Sequence, residues 1–365
     1  VSGPVGVGVI GAGVISTQYL PNLRDAADVD VRMLADLDAD RAAARAAEFG
    51  VPESGTVEQL LARDDIDIVV NLTIPAAHVP VGIAAIAAGK HVFSEKPFGL
   101  DRDSGRELLA AADAAGLRAA CAPDTILGAG LQTARRLIES GAIGTPLTGL
   151  SLFQVAGPES WHPSPEFLYA RGGGPLFDMG PYYLSWLVQL FGPATRVIAR
   201  GSRSRAERII GSGPREGTVF PVEVPTHVAG IVDFASGASA QVTFSFQSPL
   251  ERAGVLEVSG TEGALVLPDP NNFDGDSTLW RGSGESAPVP STGATMTRGH
   301  GVVELARAIR AGRPERASGL LAFHVLDLMC ALEESAAHGE AVDIPSTVEV
   351  PPALPEDWDP FAATL

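Results

Sequence analysis

Along the first 123 residues the spacing of hydrophobic and polar positions changes period again and again. "VGVGVI" (5–10) is a short apolar run, the pattern of a strand buried on both faces. A helical pattern opens near Ile15, and "VDVRMLAD" (29–36) reads as a second strand. "LDADRAAARAAEFG" (37–50) predicts an Ala-rich helix with Gly50 just past its end. "TVEQLLARD", "VPVGIAAIAAGK" and "RDSGRELLAAADAAG" predict further helices, and "IDIVVNLT", "HVFSE" and "RAACA" further strands. This alternation predicts an α/β domain over 1–123, a parallel sheet with helices on both faces.

The rhythm changes after Pro123. A helix, "GLQTARRLIESG", is followed by strand-like runs: "LTGLSLFQVA", "ATRVIARGS", "HVAGIVDFASGASAQVTFSFQ" and "GVLEVSGTEGALVLPD". "FASGASA" and "GTEGAL" have the chemistry of hairpin turns. With helices at about 178–191, 301–311 and 318–338, this predicts an α+β domain over 124–365 with an open, mostly antiparallel sheet. The Gly/Ser/Pro/Thr-rich stretch 281–295 reads as a mobile surface loop.

The length of 365 residues suits two domains, each able to bury its own core. A net charge of −18 argues against a nucleic-acid partner, which requires a basic face. No apolar run reaches membrane-spanning length, and the N-terminus runs directly into a strand pattern without a basic leader, so neither a membrane span nor a signal peptide is expected. Cys121 and Cys330 stand far apart in apolar contexts, which suggests two buried free thiols and a reducing, cytoplasmic setting. Seven scattered histidines show no metal-ligand spacing, so no metal is expected.

Against this background "GVIGAGVIS" carries chemistry. Gly11 provides a tight turn, Gly13 lets the backbone approach a pyrophosphate, and Val14 and Ile15 lead into the helix, with Ser16 where a third small residue is wanted. Asp36 closes the second strand, where a carboxylate accepts ribose hydroxyls and repels a 2′-phosphate, so NAD is favoured over NADP. A helix N-cap is the alternative role for Asp36. The chain has two lysines, Lys90 and Lys96, both in "GKHVFSEKPFGL". Lys90 fits a surface lysine after a strand; Lys96, between Glu95 and Pro97, invites a chemical explanation.

"GAGVIS", "AD" at 35–36 and "NLTIPAAHVPVGIAAIAAGKHVFSEKP", joined by "IESGAIGTP" and "GGGPLFDMGPYY", resemble the glucose–fructose oxidoreductase and inositol dehydrogenase (Gfo/Idh/MocA) family. The resemblance covers nearly the whole chain. It implies a cofactor-binding turn at Thr73 and Pro75, a nearby His78, and the Glu95-Lys96-Pro97 signature. It also implies that Lys96 sits beside the nicotinamide and the reacting hydroxyl, where an ammonium can share in proton transfer. The family's helix pattern is Asp, three residues, then His; here the pair is Asp178 and Tyr182, so the usual base is replaced by a phenol, as in some members. Tyr182 and Tyr183 as aromatic packing is the alternative.

Before that helix, "AGPESWHPSPEFLYARGGG" concentrates Trp161, His162, Tyr169 and Arg171, residues suited to stacking on a sugar ring or reaching its hydroxyls. His162 is a second candidate for the missing base. Asp124 stands where the family shows Asn-Arg-Phe-like residues and is a further substrate-binding candidate, as is Tyr183. The expectation is an NAD-dependent oxidoreductase acting on a hydroxyl of a carbohydrate or polyol, with the nicotinamide between two domains and a homo-oligomeric (dimer or tetramer) state. The alternatives are an NAD-dependent glycosidase that transiently oxidises a sugar carbon in a glycoside, and a non-catalytic NAD-sensing regulator.

Overall fold

The computed structural model describes residues 3–282 and 284–365. It divides into two units: Val1–Ala129 with Thr292–Phe323 and Leu354–Leu365, and Gly130–Ser291 with His324–Ala353. The sequence placed its boundary at 123 and assigned everything beyond it to the second domain, whereas two later stretches return to the first unit. Buried charge shows why. Asp28, 1% exposed, accepts Arg307 Nε at 2.6 Å and the Thr364 amide and hydroxyl at 2.7 and 2.6 Å.

In the first unit the elements run β1 (Val5–Ile10), α1 (Ser16–Asp25), β2 (Val29–Ala35), α2 (Ala39–Phe49), β3 (Glu53–Gly55), α3 (Val57–Leu61), β4 (Ile68–Asn71), α4 (Pro75–Ala87), β5 (His91–Ser94), α5 (Arg102–Ala115) and β6 (Ala119–Cys121). The six strands are all parallel, in the order β3-β2-β1-β4-β5-β6. Every residue of β1 and β4 is buried, which is why these strands read as unbroken apolar runs. Strand order reverses between β1 and β4, the place where an open α/β sheet leaves a crevice at its carboxyl edge. Asp38 caps α2 by accepting the Arg41 amide, and Gly50 ends it in the left-handed region.

The remaining elements are α6 (Ala129–Glu139), β7 (Pro146–Gln154), α7 (Gly174–Phe191), β8 (Ala194–Ser202), β9 (Glu207–Ile209), β10 (Val219–Pro221), β11 (His227–Phe234), β12 (Ser239–Ser245), β13 (Arg252–Gly260), β14 (Gly263–Val266), β15 (Ser277–Arg281), β16 (Glu285–Val289), α8 (His300–Ala311), α9 (Gly319–His338) and β17 (Val342–Asp343). Nine of the strands form a sheet in the order β16-β15-β14-β13-β7-β12-β11-β8-β17. All its pairs are antiparallel except β7 with β12. One face is covered by α7, which packs on β7, β11 and β12. The turns at 235–238 and 261–262 form hairpins, as their Gly/Ser chemistry predicts. The stretch expected to be a mobile loop instead contains β16 paired with β15. Its Gly/Ser/Pro composition hides an exposed edge strand whose ladder needs no apolar face. β9 and β10 form a separate two-stranded hairpin that the sequence also left unassigned.

Cys121 and Cys330 are both free and buried. No helix among the described residues is long and apolar enough to cross a membrane.

Candidate active site

The first unit places its candidate residues after the carboxyl ends of five parallel strands, β1, β2, β4, β5 and β6. After β1, Gly11 has φ +110°, and a Cβ there would lie 2.6 Å from the Leu72 carbonyl oxygen, so the turn requires glycine. Gly13 is exposed, with nothing within 4 Å of a Cβ. Val14 is 85% exposed, Ile15 is half-buried, and no side chain caps α1. Open space over a tight turn that leads into a helix with no side-chain cap fits a pyrophosphate.

After β2, Asp36 Oδ2 accepts the Ala12 amide at 2.7 Å and Oδ1 the Asp38 amide at 2.9 Å. The N-cap role belongs to Asp38, and Asp36 instead holds the glycine turn after β1 through the Ala12 amide. The Arg41 guanidinium also grips Asp36, at 2.5 and 3.3 Å. Burial alone would raise the Asp36 carboxyl, but hydrogen bonds from Arg41 and from the Asp38 and Ala12 amides outweigh it and hold the group below the usual carboxylate range. Arg41 was not among the sequence's candidates; α2 folds it back onto Asp36.

After β4, Asn71 Oδ1 accepts the Thr73 hydroxyl at 2.6 Å, and Asn71 Nδ2 donates to the His78 carbonyl at 3.0 Å. Thr73 and Pro75 are half-buried on this turn, and Pro75 opens α4. His78 is 1% exposed; its Nδ1 lies 2.8 Å from the Pro97 carbonyl oxygen and its Nε2 lies 3.1 Å from that of Thr73. A neutral imidazole carries one proton, and the shorter contact assigns it to Nδ1. Burial holds this histidine below its ordinary pKa, although the two carbonyls pull the other way. His78 therefore ties the turn after β4 to the segment after β5.

That segment carries Lys96. Glu95, 6% exposed, accepts the Lys96 amide on Oε2 at 3.0 Å and the Tyr19 hydroxyl on Oε1 at 2.7 Å, with Arg298 Nη1 at 3.8 Å. The backbone is thus held at the amide before the Lys96 side chain and at the carbonyl after it, while the side chain is half-buried. The Lys96–Pro97 and Ala122–Pro123 peptide bonds are cis. Lys90 corrects the sequence reading. It is 7% exposed, not a surface residue, because its Nζ donates to the Arg63 carbonyl at 2.6 Å. Tyr19 and Arg298 were missed; nothing local in the sequence links them to Glu95.

Asp124, after β6, is fully buried, and its Oδ2 accepts the Gly299 and Gly301 amides at 2.8 and 3.1 Å. Its carboxylate anchors the start of α8, an interior role rather than an exposed substrate contact. A cavity of about 370 Å³ lies at the other end of β6, lined by Leu109, Leu117, Arg118 and Leu320, away from these strand ends.

In the second unit Asp178 and Tyr182 share one face of α7 a turn apart. Asp178 is half-buried and Tyr182 is 4% exposed. Tyr183 is fully buried, accepts the Gly254 amide at 2.8 Å and packs edge-on against Phe153 and Phe244, so the packing alternative holds for this tyrosine. In the preceding loop Trp161 and Arg171 are exposed and His162 is half-buried. Tyr169 is fully buried with its hydroxyl on Glu159, which places it in the interior rather than on a sugar-facing surface. Among the described residues no group of three or more His, Cys, Asp or Glu is placed to hold a metal ion.

The parallel sheet with its glycine turn and strand-end carboxylate has the architecture of a dinucleotide-binding domain. Residues 5–122 match the oxidoreductase family with an NAD-binding Rossmann fold, and residues 131–266 match the GFO/IDH/MocA C-terminal domain. The chain belongs to the Gfo/Idh/MocA family of sugar oxidoreductases. It is 30% identical to a 1,5-anhydro-D-fructose reductase of Ensifer adhaerens over 266 residues, 71% of this chain and 74% of that protein. It is 27% identical to a D-apiose dehydrogenase of Paraburkholderia graminis over 361 residues, 95% and 91% of the two chains. In fold it is similar to an NAD-binding oxidoreductase from Klebsiella pneumoniae (TM-score 0.84, 23% identity, covering 94% of this chain and 99% of that one). It is similarly close to levoglucosan dehydrogenase in complex with NADH and L-sorbose (TM-score 0.82, 23% identity, 94% and 99%).

Proposed function

We propose that this enzyme is an NAD-preferring dehydrogenase of a carbohydrate or polyol hydroxyl. The observation that carries the reading is the backbone grip on Lys96, from Glu95 on one side and His78 on the other. A lysine so held at the carboxyl end of a Rossmann strand donates a hydrogen bond to the reacting oxygen and shares in its proton transfer. NAD, when bound, supplies the hydride acceptor for the carbinol C–H. Gly11, Gly13, Val14 and Ile15 hold its pyrophosphate and Asp36 its ribose, while Thr73, Pro75 and His78 shape the neighbouring turn. Asp178 orients the substrate, Tyr182 relays the hydroxyl proton, accepting it as its own phenolic proton passes on to water, and Trp161, His162 and Arg171 contact the sugar.

The cofactor preference rests on Asp36, whose charge is retained at neutral pH and repels a 2′-phosphate. Arg41, the arginine nearest this turn that could hold a 2′-phosphate, is paired with that carboxylate. Incubating the purified enzyme with NAD or NADP and levoglucosan, D-apiose or D-xylose, and reading reduced nicotinamide, tests both statements. We expect turnover with at least one of these sugars, NAD bound at least about tenfold more tightly than NADP, and Lys96→Ala turnover down by roughly a hundredfold. Equal binding of both cofactors sinks the assignment of Asp36. Near-normal turnover by Lys96→Ala sinks that of Lys96.

A redox-neutral glycosidase is the second reading, supported by the exposed Trp161 and Phe167, which offer aromatic surface to an aglycone. Release of phenol from an aryl glycoside without accumulation of NADH distinguishes it. A dimer or tetramer is also part of the proposal. The sheet face opposite α7 exposes Ile198, Ile231, Val266 and Trp280, and light scattering reads the outcome. The free Cys121 and Cys330 support a cytoplasmic setting, which fractionation of the source cells would test.

A further inference from the structure

In the second unit Glu159, Tyr169 and Arg208 meet in the interior, although Glu159 and Arg208 are 49 residues apart. The Tyr169 hydroxyl donates to Glu159 Oε2, and Arg208 Nη1 donates to Oε1 of the same carboxylate. Arg208 also donates to the Ala156 and Phe246 carbonyls at 2.9 and 2.6 Å, and its guanidinium lies 5.2 Å from the Tyr169 ring centroid. Tyr169 is fully buried and Arg208 is 6% exposed. Burial, reinforced by the bond to Glu159, pushes the phenol far above its usual range, so it stays a donor. Gly157 has φ +122°, and a Cβ there would lie 2.4 Å from Glu159 Oε2 and 2.6 Å from both Arg208 Nη1 and the Tyr169 hydroxyl oxygen. Glycine is what lets the loop pass over the triad.

The β9–β10 hairpin grips the same loop at further points. The Gly211 amide donates to the Glu159 carbonyl at 2.7 Å, and Arg215 pairs with Glu166 at 2.5 Å. The backbone at Gly213 lies so near the Pro163 ring that a Cβ would come within 2.8 Å of it. At the loop's end the Glu223 amide donates to the Tyr169 carbonyl at 2.8 Å, and the Phe220 and Tyr169 ring centroids are 5.4 Å apart. A buried ion pair is a costly way to gain stability, but its strict geometry can hold a segment in one conformation.

The segment so held presents aromatic surface. Trp161 is 67% and Phe167 49% exposed, and the His162 ring sits between them with its centroid 5.5 Å from each. Rings kept in water by a rigid support suit the C–H faces of a sugar. We propose that the β9–β10 hairpin, through Arg208, Glu159 and Tyr169, positions the 158–169 loop so that Trp161 and His162 contact a ring sugar or polyol. Arg208 and Tyr169 are then positioning residues. The proposal rests on the oxidoreductase reading above and deepens its substrate side.

Tyr169→Phe keeps the ring and removes the donor to Glu159. Hydrogen exchange at 158–169, with and without levoglucosan, D-apiose or D-xylose, is measured beside steady-state kinetics. At least one sugar is expected to protect the wild-type loop. In the variant the loop amides should exchange about tenfold faster. KM for the protecting sugar should rise roughly five- to tenfold, with kcat and NAD affinity changing much less. Unchanged exchange overturns the brace, and faster exchange with an unchanged KM overturns its role in sugar binding. A wild-type loop that no sugar protects overturns the proposal whether or not turnover occurs. Protection without turnover leaves the proposal standing and counts against the oxidoreductase reading instead. Should Tyr169→Phe not fold, Arg215→Ala removes the surface clamp to Glu166. It is expected to give the same KM-dominated change at smaller size, and an unchanged KM there is equally fatal.

Discussion

In the proposed reaction Tyr182 and His162 are the two candidates to take the substrate's proton, and their surroundings differ. His162 Nδ1 accepts the Ser164 amide at 3.0 Å, so the neutral ring carries its proton on Nε2 and offers a donor there, not a base. Tyr182 stands one helical turn after Asp178 on a buried face of α7. Tyr182→Phe preserves the packing and removes the hydroxyl. Turnover is expected to fall by roughly a hundredfold with folding and NAD affinity unchanged, and the alkaline limb of the kcat/KM profile should move. A fully active Tyr182→Phe beside an inactive His162→Ala would transfer the relay to the loop. The Asp178–Tyr182 pair was legible because helical spacing is local in sequence. The Asp36–Arg41 and Glu95–Arg298 contacts were not, since nothing in a linear chain says which arginine folds back onto which carboxylate.

At the level of elements, the strand-helix alternation of the first 123 residues was readable because parallel strands buried on both faces print as apolar runs between amphipathic helices. β3, β9, β10 and β16 escaped for the opposite reason. They are short and largely exposed, and their ladders are held by backbone hydrogen bonds that leave no periodic trace. The turn between β4 and α4 shows what elements do for the site. Thr73 and Pro97 each present a carbonyl to His78, and that ring couples two strand ends that the sequence lists separately. His78→Ala leaves the Pro97 carbonyl without its donor, which is expected to cost about 1–3 kcal/mol of stability. If His78 also holds the Lys96 segment, turnover at saturating substrate falls by about tenfold with the pH profile unmoved. Full turnover in a destabilised His78→Ala would show that the histidine supports the fold alone.

For the whole molecule, buried histidines in the returning segment 292–323 and in α9 give stability a pH dependence. His300 is fully buried and stacked on Trp358, and burial, with help from the Arg307 charge, lowers its pKa to about 3. His324 accepts the Ala194 amide on Nε2 at 2.9 Å and contacts the Ser346 hydroxyl through Nδ1 at 2.8 Å, and burial lowers it to about 4. Both have folded values below the ordinary 6.5, so their contribution is full above that pH. As pH falls the unfolded chain takes up these protons first, and the contribution is lost. Asp124, raised to about 6 mainly by burial, acts in the opposite sense: its ionised form penalises the fold at neutral pH, and the penalty fades on acidification. A difference between two proteins cancels such opposing groups. His324→Asn should be less stable than wild type at pH 7, where it lacks the histidine's fitted contacts. The gap should shrink by up to ~3 kcal/mol as pH drops from 6.5 to 4, because only the wild type then loses the buried neutral imidazole. Urea midpoints measured at several pH values check this, and a gap that stays constant across the range would show that His324 is not buried in its neutral form.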